Sequence, residues 1–417
     1  MDGMRRTRQS VVKYYYDMSP ETDRRFVPID FKTRFPALDG IRALAVTMVF
    51  VHHYGGGAHA GTVLHLLDMV RQPCWAGVDL FFVLSGFLIT GILYDTRSDS
   101  HYFKRFFLRR AVRILPVFYV VATLLLLLTP VFRYQWSWMY LSWPAYVGNM
   151  FGNYNWTYYS VVSANHPAAT VEISHFWSLC VEEQFYLLWP IGVLLIRNRT
   201  VLLRTAVGLS ILALGLRIAM FMHFSAAFAT VWVVRTLPFR MDSLLIGGIM
   251  ALLLRGPEAD RWQRSGKWFF LAGLAATLGL FYCSPAYDSV WVHTIGFTFI
   301  AVTSAGLICS TLRRESSAFH FFRLKPLRIL GKYSYGFYIF HLLFRPAWIQ
   351  ILFAEARTHN LALVGVLALG SNFLITFMAS KISYDLIESR WLRLKRRFEY
   401  DSEAIAQKDL STPCSAG

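Results

Sequence analysis

Apolar runs of membrane-spanning length recur from about residue 37 almost to residue 390, and the Lys and Arg residues between them gather in alternate loops. No other feature narrows the possible folds as far. A hydrocarbon core of about 30 Å takes about 20 apolar helical residues to cross. Backbone inside it must satisfy its own hydrogen bonds, which leaves helices or a closed barrel, and runs of this length belong to helices. The pattern divides into about ten spans: 37–54, 75–95, 111–131, 176–196, 201–222, 232–254, 267–283, 290–311, 333–352 and 361–384. Basic clusters fall before the first span, at Arg97–Arg110, Arg197–Arg204, Arg255–Lys267 and Arg313–Lys332, and after the last span. That alternation is the positive-inside pattern for an even number of spans with both termini cytoplasmic. The expectation is an all-α polytopic protein, multi-pass in the cytoplasmic (inner) membrane and in contact with lipid.

The chain is 55% hydrophobic with a net charge of +17. In a soluble protein that charge would point to nucleic acid; here it follows the loops, and nucleic acid is not expected as a partner. Residues 1–36 read as a basic cytoplasmic segment, too long and too charged for the n-region of a cleaved signal. Residues 37–390 form one transmembrane domain, and residues 391–417 read as a basic, disordered tail. Cys74, Cys180, Cys283, Cys309 and Cys414 have neither metal-ligand spacing nor the look of a disulfide framework, so no metal is expected. The oligomeric state is not legible.

The first span opens with Asp39-Gly40-Ile41-Arg42 and closes with His52-His53. A helix turns ~100° per residue, so a step of eleven returns to nearly the same face ~16 Å further on. Arg42 and His53 stand in that relation, whereas His52 falls roughly 80° away. An ionised Arg in a span costs about 2.5–3.5 kcal/mol on insertion scales, so such residues are usually functional. Snorkelling of Arg42 to one surface, with His53 at the other, is the structural alternative.

Other spans add ionisable groups. Asp79 enters the second span from outside, at a depth like that of His53. His175, Glu182 and Tyr186 are spaced +7 and +4, on one helical face. Arg240 and Asp242 descend on the sixth span, either as an isolated structural pair or as part of a site, and His341 lies in the ninth. Together they imply a polar cavity opening outward. At the inner mouth Arg110 and Arg113 are i,i+3, so both can face one ligand, and guanidinium forks suit phosphates. Positive-inside signalling or lipid headgroup contact is the alternative for them. The aromatic-rich outer segment 132–175 reads either as an interfacial belt or as a sugar-stacking surface.

These blocks resemble the membrane acyltransferase-3 family of bacterial O-acyltransferases. Asp39-Gly40-Ile41-Arg42 through His53 is similar to its Arg-x10-His motif, and Gly77-Val78-Asp79-Leu80-Phe81-Phe82-Val83-Leu84-Ser85-Gly86-Phe87 to its second block. Arg110-Ala111-Val112-Arg113-Ile114-Leu115-Pro116 is similar to its Arg-x-x-Arg block. Phe176-Trp177-Ser178-Leu179 with Glu182, Phe185, Tyr186 and Pro190 matches a fourth, and Tyr333-Ser334-Tyr335 to His341 a late one. The resemblance implies transfer of an acyl group, most often acetyl from acetyl-CoA, to a hydroxyl of an extracytoplasmic glycan or an exported small molecule. It implies that Arg42 and His53 are an essential pair, that Arg110 and Arg113 belong to the CoA side, and that Glu182 is a further site residue. Where the family often has Glu-Arg-Pro after the last span, this chain has Glu388-Ser389-Arg390, which leaves the role of Glu388 open. Many members carry an esterase-like domain at the C-terminus, which is not expected here.

On this reading His53 is the general base, and Asp79 or Glu182 orients its imidazole. Arg110 and Arg113 hold the CoA phosphates, while His175, Tyr186, Arg240, Asp242 and His341 line the acceptor cavity. A transporter or flippase with an intramembrane ionisable relay is the competing class. It predicts an internal repeat of the spans, and none is clear.

Overall fold

The computed structural model describes residues 35–54, 71–127, 174–284, 289–343, 361–394 and 398. The N-terminal segment up to residue 34, most of the outer segment 132–175, the second half of the ninth span and nearly all of the tail lie outside the described residues. Among the described residues the architecture is helical, without strands. We number the helices α1 (Pro36–Tyr54), α2 (Gly77–Thr96), α3 (Tyr102–Leu127), α4 (Trp177–Leu195), α5 (Arg199–His223), α6 (Ala226–Arg235) and α7 (Leu237–Leu253). They continue as α8 (Ala259–Cys283), α9 (Phe297–Thr311), α10 (Ser317–Phe322), α11 (Lys325–Lys332), α12 (Ser334–Phe340), α13 (Leu361–Ser383) and α14 (Ser389–Leu394).

Among the described residues, five helical stretches are long and apolar enough to cross a membrane, and a bent pair raises this to six. The bent pair is α6 with α7, which meet at 42°. The stretch read as one sixth span is therefore not one continuous helix. Its break lies at Thr236, whose backbone is extended (φ −121°, ψ 147°). Pro238 follows in the first turn of α7, where its missing N–H removes no helical bond. The third span begins earlier than its apolar run, because α3 carries Lys104, Arg105, Arg109, Arg110 and Arg113 in its first turns.

Lipid tails are as apolar as leucine, so packing and polar contacts rather than hydrophobic burial hold such helices together. The centre of the bundle illustrates this. α2 and α7 approach so closely that a Cβ at Gly86 would collide with the Leu244 carbonyl, and one at Gly247 with the Val83 carbonyl. Around that contact Phe82, Ile89, Leu93, Phe106, Phe185, Trp189, Leu244 and Leu252 form a core shared by α2, α3, α4 and α7. A second core joins Val46, Val49 and Phe50 of α1 to Phe337 and Tyr338 of α12. α5 and α8 keep Ile211, Leu212, Leu271 and Leu278 exposed, as lipid-facing helices would.

Candidate active site

Three elements deliver histidines to one place. His52 and His53 lie in the last turn of α1, His341 follows the last residue of α12, and His175 sits in the short turn Ser174–Phe176 that leads into α4. The rings of His53 and His341 are 5.1 Å apart, and those of His341 and His175 are 4.8 Å apart. Backbone carbonyls set the tautomers, because a carbonyl only accepts. His53 Nδ1 donates to the Val49 carbonyl (2.7 Å), one turn back on its own helix. His341 Nδ1 donates to the Tyr338 carbonyl (2.7 Å). In each neutral ring the lone pair is thereby on Nε2, the nitrogen farther from the backbone. His175 is the reverse case, with Nε2 donating to the Ile339 carbonyl (3.3 Å). Tyr338 closes the cluster, donating to the His175 carbonyl (2.9 Å) and meeting Ser178, while Tyr54 donates to the His341 carbonyl. Among the described residues, no group of three His, Cys, Asp or Glu is arranged to hold a metal ion.

The other end of α1 is cationic. Arg42 Nη1 pairs with Asp39 Oδ1 at 2.8 Å and lies within electrostatic reach of Arg113 and Arg110 on α3. The Arg110 guanidinium stands 5.4 Å from the centre of the Tyr186 ring. Tyr186 donates to Glu182 Oε2 (3.0 Å) and accepts from Ser85 Oγ (2.6 Å). Arg110 and Arg113 both act electrostatically on Glu182. Arg113 also acts on Glu388, which a π-helical turn, Tyr384–Glu388, turns into the core. Tyr335 joins α12 to α3 by donating to the Ile114 carbonyl (2.6 Å). The polar groups thus form a tract: guanidinium groups at one end, histidines at the other, and Ser85, Glu182, Tyr186, Ser178 and Tyr338 between them.

Several sequence expectations change. Glu182 and Tyr186 share a face of α4, but His175 precedes the first residue of the helix, so the +7 spacing does not apply to it. Glu182 is bonded on the guanidinium side rather than to an imidazole. Asp79 does not orient His53 by hydrogen bond; its Oδ1 accepts from Arg240 Nη2 and Ser243 Oγ, both at 2.8 Å. Arg240 and Asp242 are not partners. Asp242 is chelated by Arg217 of α5 through two bonds of 2.8 and 2.7 Å, with all of these side chains buried. The remaining donors of Arg217 reach the Thr294 carbonyl (3.0 Å), the Phe239 carbonyl (2.6 Å) and Thr298 Oγ1 (2.6 Å). The Thr294 carbonyl belongs to a π-helical turn, Val292–Gly296, where the regular ladder is displaced. Arg217 is the residue that sequence reasoning missed. A lone Arg in an otherwise apolar span was the available signal.

This arrangement separates two kinds of chemistry along one helix. The family description "Acyltransferase domain" matches residues 35–381. The chain belongs to this acyltransferase family. Among curated relatives it is 28% identical over 365 residues to the O-acetyltransferase OatA of Staphylococcus aureus (strain NCTC 8325 / PS 47), covering 85% of this chain and 56% of that protein. It is 27% identical over 340 residues to the peptidoglycan O-acetyltransferase OatA of Listeria monocytogenes, covering 73% of this chain and 48% of the relative. The chain therefore spans about half the length of these relatives. No solved structure matches it.

Family membership gives the tract a chemical meaning. Acyl transfer to a hydroxyl needs a proton acceptor at the attacking oxygen and positive charge near the donor. The acyltransferase domain carries a candidate for each at the two ends of α1. His53 Nε2 is a candidate for the first, and Arg42, with Arg110 and Arg113 of α3, is a candidate for the second.

Proposed function

We propose that this chain is an integral-membrane O-acetyltransferase. It takes an acyl group, acetyl by analogy with the O-acetyltransferase relatives, from cytoplasmic acyl-CoA and passes it to a hydroxyl of an extracytoplasmic glycan. The observation that carries the reading is the placing of a histidine cluster and a guanidinium cluster at opposite ends of α1. The donor enters at the guanidinium end, where Arg110 and Arg113 bind the CoA phosphates as forks. The acceptor hydroxyl meets His53 at the other end. Nε2 takes the hydroxyl proton as the oxygen attacks the thioester carbonyl, the C–S bond breaks, and the CoA thiolate leaves to be protonated. His341 and His175 form the wall beside the imidazole. About ten spans with both termini cytoplasmic give the two ends of α1 their sides. The names of the relatives favour a cell-wall carbohydrate as the acceptor class.

The experiment is thiol release. Purified protein in nanodiscs, given acetyl-CoA and oligosaccharide acceptors, should release free CoA in step with acceptor acetylation followed by mass spectrometry. Acetyl groups or glycan crossing the membrane without thioester cleavage would make the chain a carrier.

A further inference from the structure

The short helices α10 and α11 form a platform at the Arg42 end of the bundle. It is bound tightly to α1: a Cβ on Gly40 would strike the Phe322 carbonyl, and one on Gly331 would strike the Asp39 carbonyl. Phe319 and Phe322 are buried beneath it, and Leu330 packs on the core that contains Val46 and Phe50. The opposite side of the platform carries exposed side chains. Arg323, Lys325, Arg328 and Lys332 are exposed, and residues 316–332 contain no Asp or Glu. Lys325, Arg328 and Lys332 are spaced +3 and +4, so they form one stripe on α11. Beside the stripe, large apolar side chains are also exposed: Phe321 by 55%, Leu324 by 49% and Ile329 by 40%.

Exposed apolar groups interleaved with cations, on short helices next to a spanning bundle, are what an interfacial element presents to lipid. The apolar groups enter the acyl boundary and the cations meet the headgroups. Water alone would leave Phe321, Leu324 and Ile329 unpaired, and a soluble anion such as CoA would use the cations without them. We propose that the α10–α11 platform is a docking surface for anionic phospholipid, and that its occupancy supports activity because the platform is the seat of the Asp39–Arg42 pair. Its placement in the inner leaflet and its effect on acyl transfer rest on the function proposed above; lipid binding itself does not.

The test uses the full chain and the triple variant R323Q/K325Q/R328Q in nanodiscs of phosphatidylcholine alone or with about one third phosphatidylglycerol. A surface cation contributes about a fivefold change in anionic-lipid association. Native mass spectrometry should therefore show wild-type protein retaining phosphatidylglycerol in preference to phosphatidylcholine, and the triple variant losing that preference by well over tenfold. CoA release by the wild type should rise with phosphatidylglycerol, and release by the triple variant should not. Equal lipid preference in the two proteins overturns the proposal. So does a triple variant that loses CoA binding in detergent, since the cations would then serve the donor. If neither protein cleaves acetyl-CoA, the lipid preference still decides the docking surface, and only the function proposed above fails.

Discussion

Replacing Asp242 with Asn should destabilise the bundle more than any change at an exposed ion pair. The substitution keeps volume and removes one charge. Arg217 is fully buried, and each of its five N–H groups has a partner: two go to Asp242, one to Thr298 and two to backbone carbonyls. Without the carboxylate, its charge stays in the bundle uncompensated. Breaking a buried pair from one side costs about 3–5 kcal/mol. At 1.4 kcal/mol per tenfold, that is roughly two to more than three orders of magnitude in the unfolding constant. Replacing both partners, as Arg217→Met with Asp242→Leu, should recover much of the loss, because neither charge then remains buried alone. The assay is equilibrium unfolding in mixed micelles, arranged as double-mutant cycles. The structure predicts coupling of 0.5–3 kcal/mol or so for Arg217 with Asp242, and likewise for Arg240 with Asp79. A larger coupling for Arg240 with Asp242 than for Arg217 with Asp242 would refute the assigned pairing.

Further expectations follow from the same geometry. Reporter fusions after Asp99 and Ser316 should read cytoplasmic, and fusions after Phe224 and Ser284 external; an external Asp99 would invert the assignment of donor and acceptor ends. Arg110→Ala with Arg113→Ala should weaken CoA binding in detergent at least tenfold, as expected for lost charge-assisted bonds, and unchanged calorimetric affinity would leave these arginines as topology signals only. Tyr186→Phe removes the donor to Glu182 and the acceptor for Ser85, a loss of about 1–3 kcal/mol; acyl transfer should fall while membrane insertion is kept, and an unaltered rate would remove this triad from the site. Gly247→Leu should abolish monodisperse protein in size-exclusion chromatography, because α2 leaves no room for a side chain there.

The sequence carried the helical class plainly, since hydropathy and loop charge follow directly from the solvent that a spanning chain meets. Arg42 and His53 do lie within one uninterrupted helix, as the apolar run between them implied. Spacing failed where a helix was not continuous. His175 lies before α4 begins, so it joins His341 and His53 instead of extending the Glu182–Tyr186 face. The break at Thr236 divides the sixth span. Pairing between spans was out of reach for a different reason. Arg240 and Asp242 are close in sequence, but partners are chosen by which helices pack. Arg217 and Asp79 come from α5 and α2, and the Gly86–Gly247 contact that brings α2 against α7 is a property of the bundle. Ser85 and Tyr338 fall inside two of the family-like blocks, but hydropathy and spacing assigned neither of them a contact.

The account rests on His53 as the proton acceptor. The most direct measurement compares initial rates of acceptor acetylation for wild type, His53→Ala and His52→Ala, at matched membrane abundance and with unchanged CoA affinity. A general base contributes about 10²–10⁴-fold, so His53→Ala should lose at least a hundredfold in rate while His52→Ala, one residue away on α1, keeps most of it. A dead His52→Ala beside an active His53→Ala would place the wrong imidazole at the acceptor, and full activity in both would take the base off α1 altogether.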